Sequence, residues 1–540
     1  MADTAPGTIR STRSLMIVTA KPPCDEQIIA HKEPTRPIPC PQNVGRAVLV
    51  ATILASSMVF IDSSAVNVAL PVLQREFGAT AAQAQWVVES YALFLSALLL
   101  LGGVLGDRYG RKRIFLIGTI LFAATSLWCG LSPSIEMLIA ARAAASLAII
   151  SAAFADETER GMAIGTWSGF TAITSALGPV LGGWLVENVS WRWVFFINLP
   201  LAAVVVFVAL HGVPESRDEQ AEGLDIPGAI LATVGLGALV FGLIEGPVRG
   251  WGDPLVLASL VVGVVGLVAF VAVERRVASP MLPLSLFRSS TFSGVNLLTL
   301  LLYGAFGGAL FWLPFNLIQV QGYSATAAGA ALLPSVLLLF ALSRWTGGFI
   351  GQFGARLPLT IGPAIVAVAF VLFALPGVGG SYWATFFPAA VVLGVGMAIT
   401  VPPLTTAVMT AVEERQAGTA SGINNAVART ASLIAIALFG IVVTTVFDRQ
   451  LDDRLDAIPN LDPPVREAVE AQSADLAAAQ PPAEADTETA AAIEMAIDTS
   501  FVAGFRVAML AAAAMSLLGA GIAWRMVAGK EDERASGSTQ

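Results

Sequence analysis

The sequence predicts an all-α polytopic membrane protein of about fourteen spans, and three observations predict it. Hydrophobic residues make up 56% of the 540-residue chain and charged residues only 13%, where a soluble domain carries about a quarter charged residues. Apolar stretches of roughly 20 residues recur from Ala47 onward, each long enough to cross ~30 Å of hydrocarbon as a helix. Between two of them lies a short charged turn, Gly103-Val104-Leu105-Gly106-Asp107-Arg108-Tyr109-Gly110-Arg111-Lys112-Arg113. A connection this short makes its flanking helices antiparallel neighbours, and its basic excess assigns it to the cytoplasm by the positive-inside rule.

Residues 1–45 are rich in Pro, Thr and charge and lack the basic start, apolar centre and small-residue cleavage site of a signal peptide. They read as a disordered cytoplasmic tail. The expected spans then follow as Ala47 to Leu70, Trp86 to Gly106, Arg113 to Leu131, Met137 to Phe154, Gly161 to Leu185, Trp193 to Leu210 and Pro227 to Ile244. The second series is Pro254 to Val273, Phe292 to Leu317, Ala325 to Ile350, Leu357 to Leu375, Trp383 to Met409, Gly418 to Phe447 and Phe501 to Val527. An even number of spans returns the chain to the side it started from. Arg160, Arg217, Arg275, Arg276, Arg288, Arg356 and Arg415 join the hairpin on one side, while the opposite short loops carry little beyond Arg75, Arg192 and Arg249. Both termini are therefore expected in the cytoplasm, with the protein in the plasma (inner) membrane. The segment from Asp448 to Asp498, rich in Ala, Asp, Glu and Pro, falls outside; it reads as a solvated loop, disordered or holding short amphipathic helices around Val465 to Val469.

A faint repeat runs through the chain. Gly102-Gly103-Val104-Leu105-Gly106-Asp107-Arg108-Tyr109-Gly110 is echoed by Gly347-Gly348-Phe349-Ile350-Gly351-Gln352-Phe353-Gly354. Two related halves are the build of many secondary transporters, and the seventh and eighth spans have no counterpart in the repeat. This organises the chain as a six-helix bundle over 46–213, two inserted helices and linkers over 214–288, a second six-helix bundle over 289–527 with its loop at 448–500, and a cytoplasmic tail at 528–540.

An ionised side chain at mid-membrane costs about 2.5–3.5 kcal/mol on insertion scales and needs a reason to be there. Asp62 lies well inside the first span and Glu89 near the start of the second, which makes them the proton-site candidates; Glu245 closes the seventh and reads as structural. In the fifth span Gly161, Gly165 and Gly169, then Gly178 and Gly182, recur at four-residue spacing, a flat stripe for close helix packing, and Pro179 removes a backbone hydrogen bond.

These motifs together resemble the major facilitator superfamily, in particular its fourteen-helix drug:proton antiporter branch, over nearly everything from Arg46 to Val527. The hairpin matches the superfamily's loop signature at Gly103, Asp107, Arg108, Gly110, Arg111 and Lys112. Gly169, Gly178, Pro179, Gly182 and Gly183 match the antiporter signature, and Asp62 with Asn67, Ala69, Leu70 and Pro71 matches the first-helix signature of the branch. The resemblance implies a major facilitator fold of two six-helix bundles plus two inserted helices. It implies a proton-coupling role for Arg142 with Asp62 and Glu89, a seal made by the fifth span, and a cytoplasmic gate in which Asp107 faces a helix end of the other half while Arg111 or Lys112 engages Glu159. It also implies substrate contacts around the central cavity for Asn67, Asn296, Asn316, Gln319, Asn424 and Asn425, with Tyr303 and Arg429 beside them. The chain departs from the family after Arg142, where Ala143-Ala144-Ala145 replaces a Gln-Gly-x-Gly stretch and the span is short by roughly three turns.

Enzymatic readings find no support: there is no GxxxxGK[ST], HExxH or GxSxG run, His31 and His211 are the only histidines, and Cys24, Cys40 and Cys129 lack metal-ligand spacing. No cofactor, metal or nucleic-acid partner is indicated, and no obligate protein partner can be inferred. The expected partners are protons, a small-molecule substrate and the lipid bilayer. The expected function is proton-coupled export of amphipathic organic compounds or drugs by alternating access. A uniporter or importer on the same fold stays open, as does a transport-defective or sensor paralogue with a shortened fourth span.

Overall fold

A computed structural model describes residues 42–152, 174, 177–216, 225–277, 279–413 and 416–529. Among them the chain forms helices and no strands. The helices are α1 Gln42–Phe77, α2 Ala81–Tyr109, α3 Arg111–Gly130, α4 Ile135–Ala152, α5 over residues 177–188, and α6 Trp193–Gly212. Then come α7 Ile226–Arg249, α8 Pro254–Glu274, α9 Ser290–Val320, α10 Ala325–Ser343, α11 Arg356–Ala374, α12 Phe386–Thr410, α13 Ala417–Asp456 and α14 Thr487–Met526. Eleven of the described helices are long and apolar enough to cross a membrane, and the expected second, fourth and fifth spans are outside that set. α2 is nevertheless a 29-residue helix, roughly 44 Å long, and most of the fifth span lies outside the described residues.

Local chemistry starts the helices. Thr80 accepts from the Gln83 amide at 3.3 Å while the Gln83 side chain accepts from the Thr80 amide at 3.0 Å, a capping box that opens α2. Asp225 accepts from the Gly228 amide at 2.8 Å to open α7, and Asp253 accepts from the Leu255 amide at 2.7 Å ahead of Pro254 to open α8.

Packing sorts the helices into two sets and a pair. α1 packs on α6, and α4 packs on α2 and α3; in the second set α9 packs on α13 and α14, and α11 on α12 and α14. α7 and α8 pair closely because glycines remove the side chains between them: a Cβ on Gly263 would lie 2.6 Å from the Leu239 amide nitrogen, and one on Gly242 would lie 2.6 Å from the Leu260 side chain. α7 also touches α2 and α13, one helix from each set, whereas only 11% of the apolar window of α8 is buried. The inserted pair thus sits against the seam between the sets and turns its outer helix to lipid.

The two halves of the sequence repeat share a turn. Gly110 ends α2 with φ 103°, and its counterpart Gly354 ends the short helix Phe349–Phe353 with φ 75°, backbone angles that an L side chain rarely adopts. The expected outer loop holds the short amphipathic helix that the sequence allowed around Val465 to Val469, and it is packed where a solvated loop was expected. α13 and α14 are 40 residues each, roughly 60 Å and twice the hydrocarbon thickness, so both project beyond it. Between them the helix Pro463–Glu470 and a 3₁₀ turn Ser473–Ala478 bury Val465, Val469, Leu476 and Ala477 against the rest of the protein. The segment is a packed cap, since its few apolar residues fall at helical spacing. Arg466 ties the cap together by ion pairs to Asp456 and Glu470.

Candidate functional site

Asp62 of α1 and Arg142 of α4 meet in the interior of the first set. Arg142 Nη1 donates to Asp62 Oδ2 at 2.5 Å, and each side chain is 1% exposed. Further hydrogen bonds reach the pair: Asn198 of α6 donates to Asp62 Oδ1 at 3.2 Å and to the Ser126 hydroxyl of α3 at 3.3 Å, while Arg142 Nε donates to the Val87 carbonyl of α2 at 3.3 Å. The guanidinium lies 4.1 Å from the centre of the Tyr91 ring, a cation–π contact in a dry setting. Five helices therefore converge on one ion pair. The shortened fourth span still delivers Arg142 to Asp62.

Glu89 lies two residues from the Val87 carbonyl on α2. It is fully buried, and neither carboxyl oxygen has a hydrogen-bond partner. Asn67 Oδ1, the Ser90 and Tyr91 hydroxyls, and Nε of Arg429 from the second set are likewise buried and unpartnered. Tyr91 stands in the field of Asp62, Arg142 and Arg429. Buried polar atoms are normally paired, so each of these unpartnered groups on α1, α2 and α13 is a candidate for a role beyond packing.

The polar candidates of the second set are placed differently. Asn424 donates to Asn296 at 3.2 Å and to the Thr299 hydroxyl at 2.8 Å, and Asn296 donates to the Phe292 carbonyl, so these amides join α13 to α9. Asn316 accepts from Gln321 at 3.2 Å in the π turn that ends α9, and Asn425 is exposed on α13. Gln319 donates to Gln74 of α1 at 3.0 Å, and Gln74 donates to the Asp475 carbonyl of the cap at 2.9 Å.

That last chain belongs to a seal between the sets at the end opposite the hairpin. A Cβ on Gly182 would lie 2.7 Å from Ala65 Cα of α1, and one on Gly183 would lie 2.2 Å from the Ala325 carbonyl oxygen of α10; one on Gly329 of α10 would lie 2.1 Å from the Pro179 carbonyl oxygen. Gly178 faces Ser64 and Ile61 in the same way, whereas Gly169 lies outside the described residues. The small-residue stripe is thus spent on backbone contact with both α1 and the second set. Beside it the Thr326 amide donates to Glu187 at 3.1 Å. The contacts with Thr326, whose amide donates to it, and with Ser324 hold the Glu187 carboxyl below its usual range. A carboxyl lowered in the sealed state favours the seal above its ordinary range and loses that contribution as pH falls through the lowered value. Spin-label distances between Asn188→Cys and Ala327→Cys, in a background without native cysteines, are expected to lengthen only on acidification through that window, and Glu187→Gln is expected to remove the dependence.

At the hairpin end the backbone carries the interaction. The Glu215 carboxylate, just after α6, accepts from the Lys112 amide at 3.0 Å and the Arg113 amide at 3.2 Å, and Lys112 Nζ donates to the Leu210 carbonyl at 3.2 Å. Gly110 supplies no side-chain cap to α3, so Glu215 caps it from a distant part of the chain, an anion at a helix N-terminus. A Cβ on Gly110 would lie 2.8 Å from that carboxylate. Sequence reasoning missed Glu215, which is one of five acids in the connection from Pro214 to Asp225 and carries nothing that singles it out. Gly103, Asp107 and Arg108 are in the last turns of α2, Arg111 opens α3, and Glu159 lies outside the described residues, as does the expected contact of Arg111 or Lys112 with it. Glu215→Ala is expected to speed amide exchange of Lys112 and Arg113 about fivefold, the usual worth of a cap, with little change at Trp128 in the last turn of α3.

The chain is 36% identical over 424 residues to the multidrug resistance protein Stp of Mycobacterium tuberculosis (strain CDC 1551 / Oshkosh), covering 76% of this chain and 78% of that one. It is 31% identical over 505 residues to the tetracenomycin C resistance and export protein of Streptomyces glaucescens, covering 90% and 92%. Its fold is similar to that of a bacterial homologue of the human lysosomal transporter Spinster in an inward-facing, unoccupied conformation, with a TM-score of 0.59 at 18% identity over 91% of this chain and 99% of that one. The family model of the Major Facilitator Superfamily matches residues 52–436, the stretch that holds the ion pair, the seal and the hairpin, so the chain belongs to that superfamily.

Proposed function

We propose that the protein exports amphipathic organic compounds of the drug class in exchange for protons, from the plasma membrane, with the hairpin end and both termini in the cytoplasm. The relatives named for drug resistance and export support the cargo class and direction, and the basic residues gathered at the hairpin end support the orientation. The observation that carries proton coupling is Glu89, a fully buried carboxyl on α2 with both oxygens unpartnered, in contrast to Asp62, whose two oxygens are taken by Arg142 and Asn198. A carboxyl without a partner is cheap to bury neutral and expensive to bury charged. Water reaching it from alternate sides would therefore load and unload a proton there, while the ion pair holds α1, α2 and α4 in register. No covalent energy source is needed: a proton moving down its gradient carries about 2.3 kcal/mol per 100 mV. Without covalent chemistry, transport then fits a non-enzymatic carrier. The placement of Arg142 favours this reading over a transport-defective paralogue.

In proteoliposomes carrying a pH-sensitive dye inside, adding an exported drug is expected to move protons in proportion to drug flux. Glu89→Gln is expected to leave drug binding in place and abolish the drug-linked proton signal. Drug flux that continues unchanged with no imposed pH gradient and no proton movement would overturn antiport in favour of facilitated diffusion.

A further inference from the structure

A second site lies away from the ion pair, where the two helix sets and the inserted pair meet at the end opposite the hairpin. A partly open cavity of about 170 Å³ is lined there by α2, α7, α13 and the 3₁₀ turn of the cap. Its wall is mixed. Leu243 and Ile244 of α7 and Ile441 of α13 give it an apolar side, while Gln85 of α2 and Asp448 of α13 give it a polar one, and Ser473 of the cap closes it. Gly440 opens the space beside Gln85, since a Cβ there would lie 2.2 Å from the Gln85 amide nitrogen. The cap is held over the cavity by the hydrogen bond from Gln74 to the Asp475 carbonyl and by buried Leu476 at φ 54°, a left-handed residue that turns the chain inward.

The polar side has one sign. Asp448 Oδ1 is buried without a hydrogen-bond partner, and Asp452 follows one turn later on the same helix face. The nearby acid on α7, Glu245, is already used: it accepts from Arg249 at 2.8 Å and from the Trp86 indole at 3.1 Å. A carboxylate oxygen left open on the wall of a cavity whose other side is Leu243, Ile244 and Ile441 fits a cation whose remaining surface is hydrocarbon. The volume is below the ~300 Å³ at which drug-sized pockets begin, so the chamber takes a compact group.

We infer that this chamber is a binding site for the ammonium group of an organic amine, with Asp448 as its counter-ion and the cap as its lid. The site is separate from the Asp62–Arg142 pair and from Glu89, and it gives α7 a role beyond filling space. That the amine is cargo rests on the export reading; that it binds does not. The test uses full-length protein in lipid nanodiscs and radiolabelled benzyltrimethylammonium. The wild type is expected to bind it saturably, neopentylbenzene, its uncharged isostere, is expected not to compete, and Asp448→Asn is expected to weaken binding at least about tenfold, in the range of a desolvated charge pair. Ser473→Trp fills the chamber from the cap without touching a membrane helix and is expected to abolish the same component, and a diazirine-bearing benzylammonium is expected to label residues 437–448 or 473–474. Absent binding in the wild type, unchanged affinity in both variants, or labelling confined to α1 and α4 would overturn the site. Wild-type binding without drug-linked flux in proteoliposomes would support the site and sink the export reading alone.

Discussion

Asp62→Ala is expected to destabilise the protein by about 3–5 kcal/mol, because it strands the Arg142 guanidinium at 1% exposure without its counter-ion. Arg142→Ala is expected to cost a similar amount by stranding Asp62. The informative variant is the pair Asp62→Val with Arg142→Met, which removes both charges and puts apolar side chains of roughly similar volume in their place. Replacing a buried ion pair as a whole is often close to neutral, so the double variant is expected to regain most of the unfolding temperature lost by the single alanine variants. Transport is expected not to return with it. Thermal unfolding and drug flux measured on the same preparations check both statements, and recovery of flux together with stability would reduce the pair to a packing device. Asn198→Ala separates the contributions further: it removes one donor from Asp62 and is expected to cost about 1–3 kcal/mol without removing either charge.

The parts of this molecule that were legible in the sequence are those in which a residue type conflicts with its surroundings. Asp62, Glu89 and Arg142 stand out because a charge in an apolar span demands an explanation, and the structure gathers Asp62 and Arg142 into one contact. The glycines of the fifth span stand out by their spacing, and Gly178, Gly182 and Gly183 are each in backbone contact with another helix. What could not be read was partnership. Asn198 and Tyr91 are ordinary residues until α6 and α2 bring them to the ion pair, and Glu215 is an unremarkable loop acid until the chain after α6 returns to the start of α3. Asn296 and Asn424 show the converse. The family resemblance placed them around a central cavity, and the structure gives them a hydrogen bond to each other that joins two helices. The cap between α13 and α14 was masked by composition, since Ala, Glu and Pro outnumber Val465, Val469 and Leu476, yet these three are buried.

Gly183→Val is expected to be the most damaging substitution in the seal. The Cβ alone would lie 2.2 Å from the Ala325 carbonyl oxygen and 2.9 Å from Thr326 Cα, both backbone atoms that no rotamer change can withdraw. α5 and α10 would have to separate, and the reciprocal contact of Gly329 with Pro179 would open with them. Overpacking of this kind costs about 1–3 kcal/mol, and a cost borne only by the state sealed at this end shifts its ratio to the unsealed state by about 5- to 150-fold. The Asn188–Ala327 label distance is therefore expected to lengthen at neutral pH, where Glu187 alone would have kept it short. Drug flux is expected to fall with it, because a carrier that cannot close one end cannot complete its cycle, while membrane insertion and the unfolding temperature of the first helix set change little. Normal flux in Gly183→Val with the short label distance retained would show that α5 and α10 yield locally and that the seal is made elsewhere, by Gln74, Gln319 and the cap.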